Sequence, residues 1–542
     1  LVPSKDIQSD TIRLTVSAVE FIVKNEIKAL IESLEILGID DIGEFTGTVS
    51  LTNLFNETNQ NTLLSSASMH ATISKQIYDL SPATLVVPAT DIDAVSIQTQ
   101  VAGTDFINKI EIKALINGLE LLGVNDITSF DGTFSLTNLT TDSQQTTLLS
   151  SASMHATISK TLFDLGDSVL IVPSRKQDNV TDIRQTVSLT EFVVKLEIKA
   201  LLNAFTTMGY TNLNGFGSGI DSTKFFTDTD TILLSSSIQA TLSDQLLNQT
   251  GGSLIIPNED IASNPIRMVV GSVEYVDLDE LLAIMNALDL LDLTDFDSIS
   301  ITPTILFTVD LSEIFESVTM QATISDSILD NASNESGSAG SLIVPDFFRE
   351  TLPEGITTTV QIEKTELIAL LDSLEALGIS DFSDAVSPTL ITSMTDQELD
   401  TMLASGSMHT TIDYMINDNP NVSIPNKAKQ DQYDITGITL KAEVKAFIKA
   451  ANTFGATDFS TASFDLNAIL LLDAGQRGVV LDSMIVRNIV TPDIQTAVST
   501  KNALNLPLGP FYTIPNTDYE DSDPLTFLTK QGILDALVFI ES

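Results

Sequence analysis

The peptide Leu-Leu-Ser-Ser-Ala-Ser-Met-His-Ala-Thr-Ile-Ser-Lys occupies residues 63–75 and returns unchanged at residues 148–160, an offset of 85 residues. That period is too long for a helix-pair solenoid unit and suits a small folded module. The chain must therefore build one local architecture several times, a plan suited to reach, stiffness or multivalent contact rather than to one buried catalytic site.

Two anchors carry the period through diverged copies. One is a short apolar run closed by proline, ending at Pro88, Pro173, Pro257, Pro345, Pro425 and Pro515, with spacings of 85, 84, 88, 80 and 90 residues. The other is a helix-like segment at residues 26–38, 111–123, 197–209, 366–378 and 443–455, and more loosely at 280–292. These define repeats at 4–88, 89–173, 174–257, 258–345, 346–425 and a degenerate sixth at 426–515. Residues 1–3 read as the tail of a preceding repeat and residues 516–542 as the start of a further one. On this reading the chain is expected to be a piece of a longer repetitive protein.

A hydrophobic content of 43% is ample for packed cores and excludes a disordered acidic tail. No apolar run approaches the length of a membrane span, so direct membrane insertion is not expected. The net charge is −47, from 73 acidic and 26 basic residues, and such a surface repels nucleic-acid phosphates and anionic lipid. There is no cysteine, which removes disulfides, thiolate metal sites and cysteine nucleophiles together.

Within a repeat, residues 11–21 alternate as a strand, with equivalents at 95–101, 183–189 and 266–270. The helix that follows carries Ile27, Leu30, Ile31, Leu34 and Leu37 on one stripe. It closes at glycine in five copies, Gly38, Gly123, Gly209, Gly378 and Gly455, where a left-handed residue would cap the last carbonyls. Residues 45–51 and 130–136 read as a second strand, 60–65 as a short helix (396–404 in the fifth copy) and 68–80 as a third helix capped by Ser68. A strand at 84–87 ends the unit. The expected fold is α+β: six modules of about 85 residues, each with about three strands and two to three helices, in a tandem array. Links of about six residues favour a semi-rigid rod, and only residues 331–341 resemble a flexible linker. At about 30 Å per module the rod would reach about 180 Å.

The chemistry-bearing residues point away from catalysis. His70, His155 and His409 share one repeat position, filled elsewhere by Gln239, Gln321 and Arg487. A slot that accepts His, Gln or Arg reads as a hydrogen-bonding or interface position. No nucleophile elbow, phosphate-binding glycine loop, His-Glu-x-x-His or EF-hand pattern is present. Calcium is the one cofactor the pattern leaves open, because carboxylates gather at turns and Ca²⁺ takes oxygen ligands. Pairs at Asp40/Asp41 and Asp91/Asp93 belong to this set, and the candidates singled out are Asp228, Asp230, Asp295, Asp297, Asp521 and Asp523. None forms a complete ligand set, and the clusters do not recur from repeat to repeat. Asn-x-Ser/Thr sequons are about as frequent as this Ser- and Thr-rich composition gives by chance.

In composition and architecture the chain resembles bacterial and archaeal cell-surface repeat proteins of the S-layer or adhesin-like kind. That resemblance implies an extracellular or cell-surface location and a stalk, fibre or scaffold role without enzymatic activity. The expected partners are neighbouring modules, other copies of the chain, or a surface protein or glycan. A multivalent array that binds protein, glycan or Ca²⁺ once per module is the alternative reading.

Overall fold

A computed structural model describes residues 1–81, 83–216, 220, 222–226, 228–248, 254–293, 299–332, 341–352, 359–384, 386–504, 510–522 and 525–542. The fold mixes α and β, and among the described residues the sheets are all two-stranded and antiparallel. One element order recurs. In the first repeat a hairpin of Arg13–Val16 and Val19–Ile22 leads into a helix Lys24–Ile36, here called the anchor helix. A short helix Glu57–Leu63 follows, and then a helix Ala67–Leu80, here called the joint helix. Later anchor helices are Lys109–Leu121, Lys195–Thr207, Leu278–Leu290, Lys364–Ala376, Lys441–Thr453 and Lys530–Glu541. Later joint helices are Ala152–Asp164, Ser236–Leu247, Val318–Leu329, Gly406–Asn417 and Met484–Leu504.

The expectation of about three strands per repeat needs correction. The segment read as one strand at residues 11–21 is a hairpin, because Ser17 and Ala18 take φ of 50° and 65° and turn the chain back between Val16 and Val19. Two successive positive-φ residues make the turn whose twist matches the flanking strands. Residues 45–51 and 130–136 are not strands. Each contributes one isolated bridge to the following repeat, Ser50 to Asp126 and Ser135 to Asn212. Residues 84–87 form no strand either, since the Val86 N–H donates to the hydroxyl of Thr157 at 2.9 Å instead of to a strand partner. Most of the expected linker, residues 333–340, lies outside the described residues.

Helix expectations fare better, and the ambiguous segment at 68–80 is a helix, Ala67–Leu80, although its cap is Ser66, whose Oγ accepts the Met69 N–H, and not Ser68. The anchor helices end as their glycines suggest. Gly123, at φ +76°, passes its N–H to Glu120 O at 2.9 Å, while the Val124 N–H reaches Leu119 O at 2.9 Å. Gly38, Gly209, Gly378 and Gly455 share this left-handed conformation, and Asp292 adopts it at φ 54° in the fourth copy.

The described chain divides into two compact units, one mainly Leu1–Gly251 with Arg267–Met285, the other mainly Ile299–Ser542 with Gly252–Ile266 and Asn286–Leu293. In the first unit the hairpin Gln98–Val101/Thr104–Ile107 lies on the joint helix Ala67–Leu80 of the repeat before it, and Phe106 and Ile107 are fully buried. A lone two-stranded hairpin is marginal in water. Burying these side chains contributes about 1.5–3 kcal/mol each, so the preceding repeat supplies the surface that makes the hairpin stable. The second unit repeats the arrangement, with Ile362 and Ile438 buried in the hairpins that follow the joint helices Val318–Leu329 and Gly406–Asn417. Among the described residues no helix is long and apolar enough to cross a membrane.

Candidate functional site

The most constrained place in the molecule is the joint helix, which is buried on almost every face. In Ala67–Leu80 the polar residues Ser68, His70, Thr72 and Ser74 are buried together with Met69, Ala71 and Ile73. Buried polar groups cost free energy unless they are paired, so their partners explain why this peptide tolerates little change.

The helix start is held by a glutamate from the anchor helix of the same repeat. The Glu26 carboxylate accepts from Ser66 Oγ at 2.7 Å, Ala67 N–H at 2.9 Å and Ser68 N–H at 2.8 Å. A helix N-terminus leaves N–H groups without intrahelical partners and carries partial positive charge, so a buried carboxylate there is doubly compensated. Glu111 holds Ser151, Ala152 and Ser153, and Glu197 holds Ser235, Ser236 and Ser237, in the same way. Glu366 and Glu443 do so for the joint helices that begin after Ser405 and Ser483. Burial pushes the Glu443 carboxyl up, against the lowering effect of its three hydrogen bonds. Gly532 stands at the corresponding place in Lys530–Glu541.

One turn further on, the joint helix grips the next repeat. His70 Nε2 lies 2.6 Å from the carbonyl of Ile107, the last residue of the following hairpin, and Ser74 Oγ accepts the N–H of that same residue at 3.1 Å. Two side chains spaced i, i+4 lie on one helix face, so they can take both backbone polar groups of one residue. His155 and Ser159 clamp Val193 at 2.7 and 3.0 Å, and Gln321 and Ser325 clamp Ile362 at 2.7 and 2.9 Å. His409 and Asp413 clamp Thr439 at 2.7 and 3.0 Å. The clamp varies in two repeats. Ser243 takes the Val276 N–H while Gln177 donates to its carbonyl, and Gln239 turns to Leu233 O. Thr491 takes the Leu528 N–H while Arg487 pairs with Glu520 at 2.6 Å.

Between the two clamp residues sits a threonine that faces the other way along the chain. Thr157 accepts the N–H of Val86, Thr241 that of Ile171, Thr323 that of Ile255 and Thr411 that of Ile343, at 2.8–2.9 Å. Thr72 receives the amino group of Leu1 at 2.9 Å in the equivalent geometry. In the sixth joint helix Ile489 stands at that position and Asn488 Nδ2 donates to Ser423 O at 2.9 Å instead, so each joint helix holds both the tail that enters its own repeat and the hairpin that opens the next.

The imidazoles are neutral in this setting. Burial pushes His70, His155 and His409 down to about 4, against a smaller raising effect of their carbonyl partners. A bond from ring nitrogen to a carbonyl requires the Nε2–H tautomer, so this nitrogen is the donor that holds the following hairpin.

The calcium candidates are dispersed. Asp228 caps the helix Thr229–Ile232 through the Thr231 N–H, and Asp230 is exposed in the first turn of that helix. Asp295, Asp297 and Asp523 lie outside the described residues, as does the side chain of Asp521. Asp41 and Asp91 each accept a nearby backbone N–H within their own turn. Among the described residues no three acidic or histidine side chains stand close enough together to hold a metal ion.

Sequence reasoning located the histidine slot but assigned no role to the glutamates, the threonine or the i+4 serine. The signal was available in the repeat itself: a glutamate at the third position of each of the first six anchor helices is followed about 40 residues later by the serine that precedes a joint helix. Comparison of the chain with protein-family models, with curated proteins and with solved structures gives no match.

Proposed function

We propose that this chain is a non-enzymatic structural repeat protein of the cell surface or extracellular space, working as a stalk, fibre or adhesin-like scaffold. The observation that carries the reading is the recurrence of one buried joint, in which a helix of each repeat binds backbone groups of its neighbours on both sides. Such contacts set the geometry of consecutive repeats and oppose their separation. The absence of cysteine and a net charge of −47 suit a long soluble array outside the cell, and the buried histidines serve structure alone.

On this proposal the six repeats form an elongated, semi-rigid rod. A compact chain of this length has a radius of gyration of about 24 Å, whereas a rod of about 180 Å gives about 50 Å. Small-angle scattering separates the two, and a value near the compact one refutes the rod. Single-molecule pulling should release the chain in steps of about 85 residues, matching the sequence period. One undivided rip would count against repeats as the mechanical unit.

One observation favours the second reading, a multivalent binder. A cleft between the entering tail, the joint helix and the tip of the next hairpin recurs in two repeats. It has a volume of about 280 Å³ beside Lys75 and Asp105 and about 570 Å³ beside Asp244 and Glu274. Ligand stoichiometry that scales with repeat number in a truncation series would support it.

A further inference from the structure

The first hairpin and first anchor helix carry the same apolar face as their successors, but nothing lies on it. Phe21 is 52% exposed where Phe106, Phe192 and Phe527 are fully buried. Ile27 and Ile31 are 44% and 49% exposed, while Ile112 and Ile116 are 0% and 1%. The register of Ile22 opposite Arg13 reproduces that of Ile107 opposite Gln98, so the Ile22 backbone stands where a joint helix would clamp it. In every later repeat the hairpin lies on the joint helix of the repeat before, and in the second the anchor helix also meets the short helix Glu57–Leu63 through Gln60 to Asn117 at 2.8 Å.

We propose that this face is the docking surface for the joint helix of a further repeat of the same design. That helix would place His or Gln on the Ile22 carbonyl and Ser four residues on against its N–H. Two observations choose this occupant over a second copy of the chain. The interface is continuous with six internal joints of the same kind. Each joint helix among the described residues already engages the hairpin that follows it, so another copy has none to offer.

The inference rests on the repeat-array reading, and amide hydrogen exchange tests the two separately. Ile107 and Val193 report the array: if they exchange as fast as exposed amides, that reading fails. Ile22 reports the docking face. In the chain as it stands, Ile22 is expected to exchange at least ~100-fold faster than Ile107. With a copy of residues 4–85 joined ahead of Leu1, it should slow by about 100-fold, provided the anchor-helix amides of the added copy are themselves protected. Exchange at Ile22 that is already slow, or unchanged by the extension, overturns the proposal. So does a concentration-dependent dimer of the unextended chain that protects Ile22, because a second copy would then be the occupant. Phe21→Ser guards against an added repeat that folds poorly. The substitution should leave the unfolding midpoint of the unextended chain unchanged and lower that of the extended chain, and an equal effect in both contradicts the proposal.

Discussion

The histidine clamp makes stability depend on pH in a way that can be assigned to one residue. His155 is buried, its Nε2 is 2.7 Å from Val193 O, and burial pushes it down to about 4. Lys195 lowers it further, whereas Asp91, Asp93 and the carbonyl act in the opposite direction. In the unfolded chain a histidine titrates near 6.5, so between these values the unfolded state binds the extra proton. The clamp's contribution is therefore complete above about pH 6.5 and is lost as pH falls toward 4, with a ceiling on the order of 3 kcal/mol. His155→Gln supplies a group that does not titrate and that already works at Gln321, which donates to Ile362 O at 2.7 Å. The assay is the opening free energy of the hairpin Arg184–Val187/Thr190–Val193, read by native-state hydrogen exchange at pH 7, 6, 5 and 4 in both proteins. Neutralisation of surface carboxylates affects both alike and cancels in the difference. The parent should lose about 2–3 kcal/mol relative to the variant over this range. Parallel profiles, or an imidazole that titrates by NMR above 6, would refute the reasoning.

Other substitutions probe the remaining contacts. Glu111→Ala strands Ser151 Oγ and two N–H groups at the start of a buried helix, and should cost about 3–5 kcal/mol in the opening of Ala152–Asp164 measured by exchange at Ile158. A loss below about 0.5 kcal/mol would show that the carboxylate is not the anchor. Asp413 occupies a position held by serine in four other repeats, and burial pushes its carboxyl up. The folded state then binds the proton more readily, so stability falls as pH rises above about 4. Asp413→Ser should stabilise the Gly406–Asn417 region at pH 7 and flatten that slope, as urea unfolding at several pH values would reveal. Gly123→Ala forces a side chain into φ +76° with no steric clash to relieve, and should lower local stability by about 1–2 kcal/mol with the fold intact by circular dichroism.

The helices were legible in the sequence because their signals are local. Leu30, Leu34 and the closing Gly38 mark one face and one end of a helix whatever lies beyond it. The hairpins were not, because three of their turns are Ser17-Ala18, Ser188-Leu189 and Tyr433-Asp434, without glycine, and two others, Ala102-Gly103 and Gly271-Ser272, lack the Asn-Gly or Asp-Gly pair that announces such a turn. Leu189, fully exposed at φ 69°, is an unfavourable choice for that position, sustained by packing of the hairpin face elsewhere. Residues 84–87 show how an apolar run can mislead: Leu85 is buried as a strand residue would be, yet the Val86 N–H is satisfied by a threonine side chain. The joint itself joins residues some 30 to 40 positions apart through backbone atoms, which carry no sequence signature. What the sequence did show was that the segment holding His70, Thr72 and Ser74 returns unchanged at residues 148–160.

The direction of the clamp, from a helix in one repeat to the hairpin of the next, is best tested by removing it once. Hydrogen exchange of the double variant His70→Ala/Ser74→Ala should accelerate at least 10-fold at Phe106 and Ile107, with Val193 and the preceding hairpin at Phe21 and Ile22 within about twofold of the parent. Faster exchange at Phe21 and Ile22 with Phe106 and Ile107 untouched would mean that each repeat closes on itself, and the account given above would be wrong.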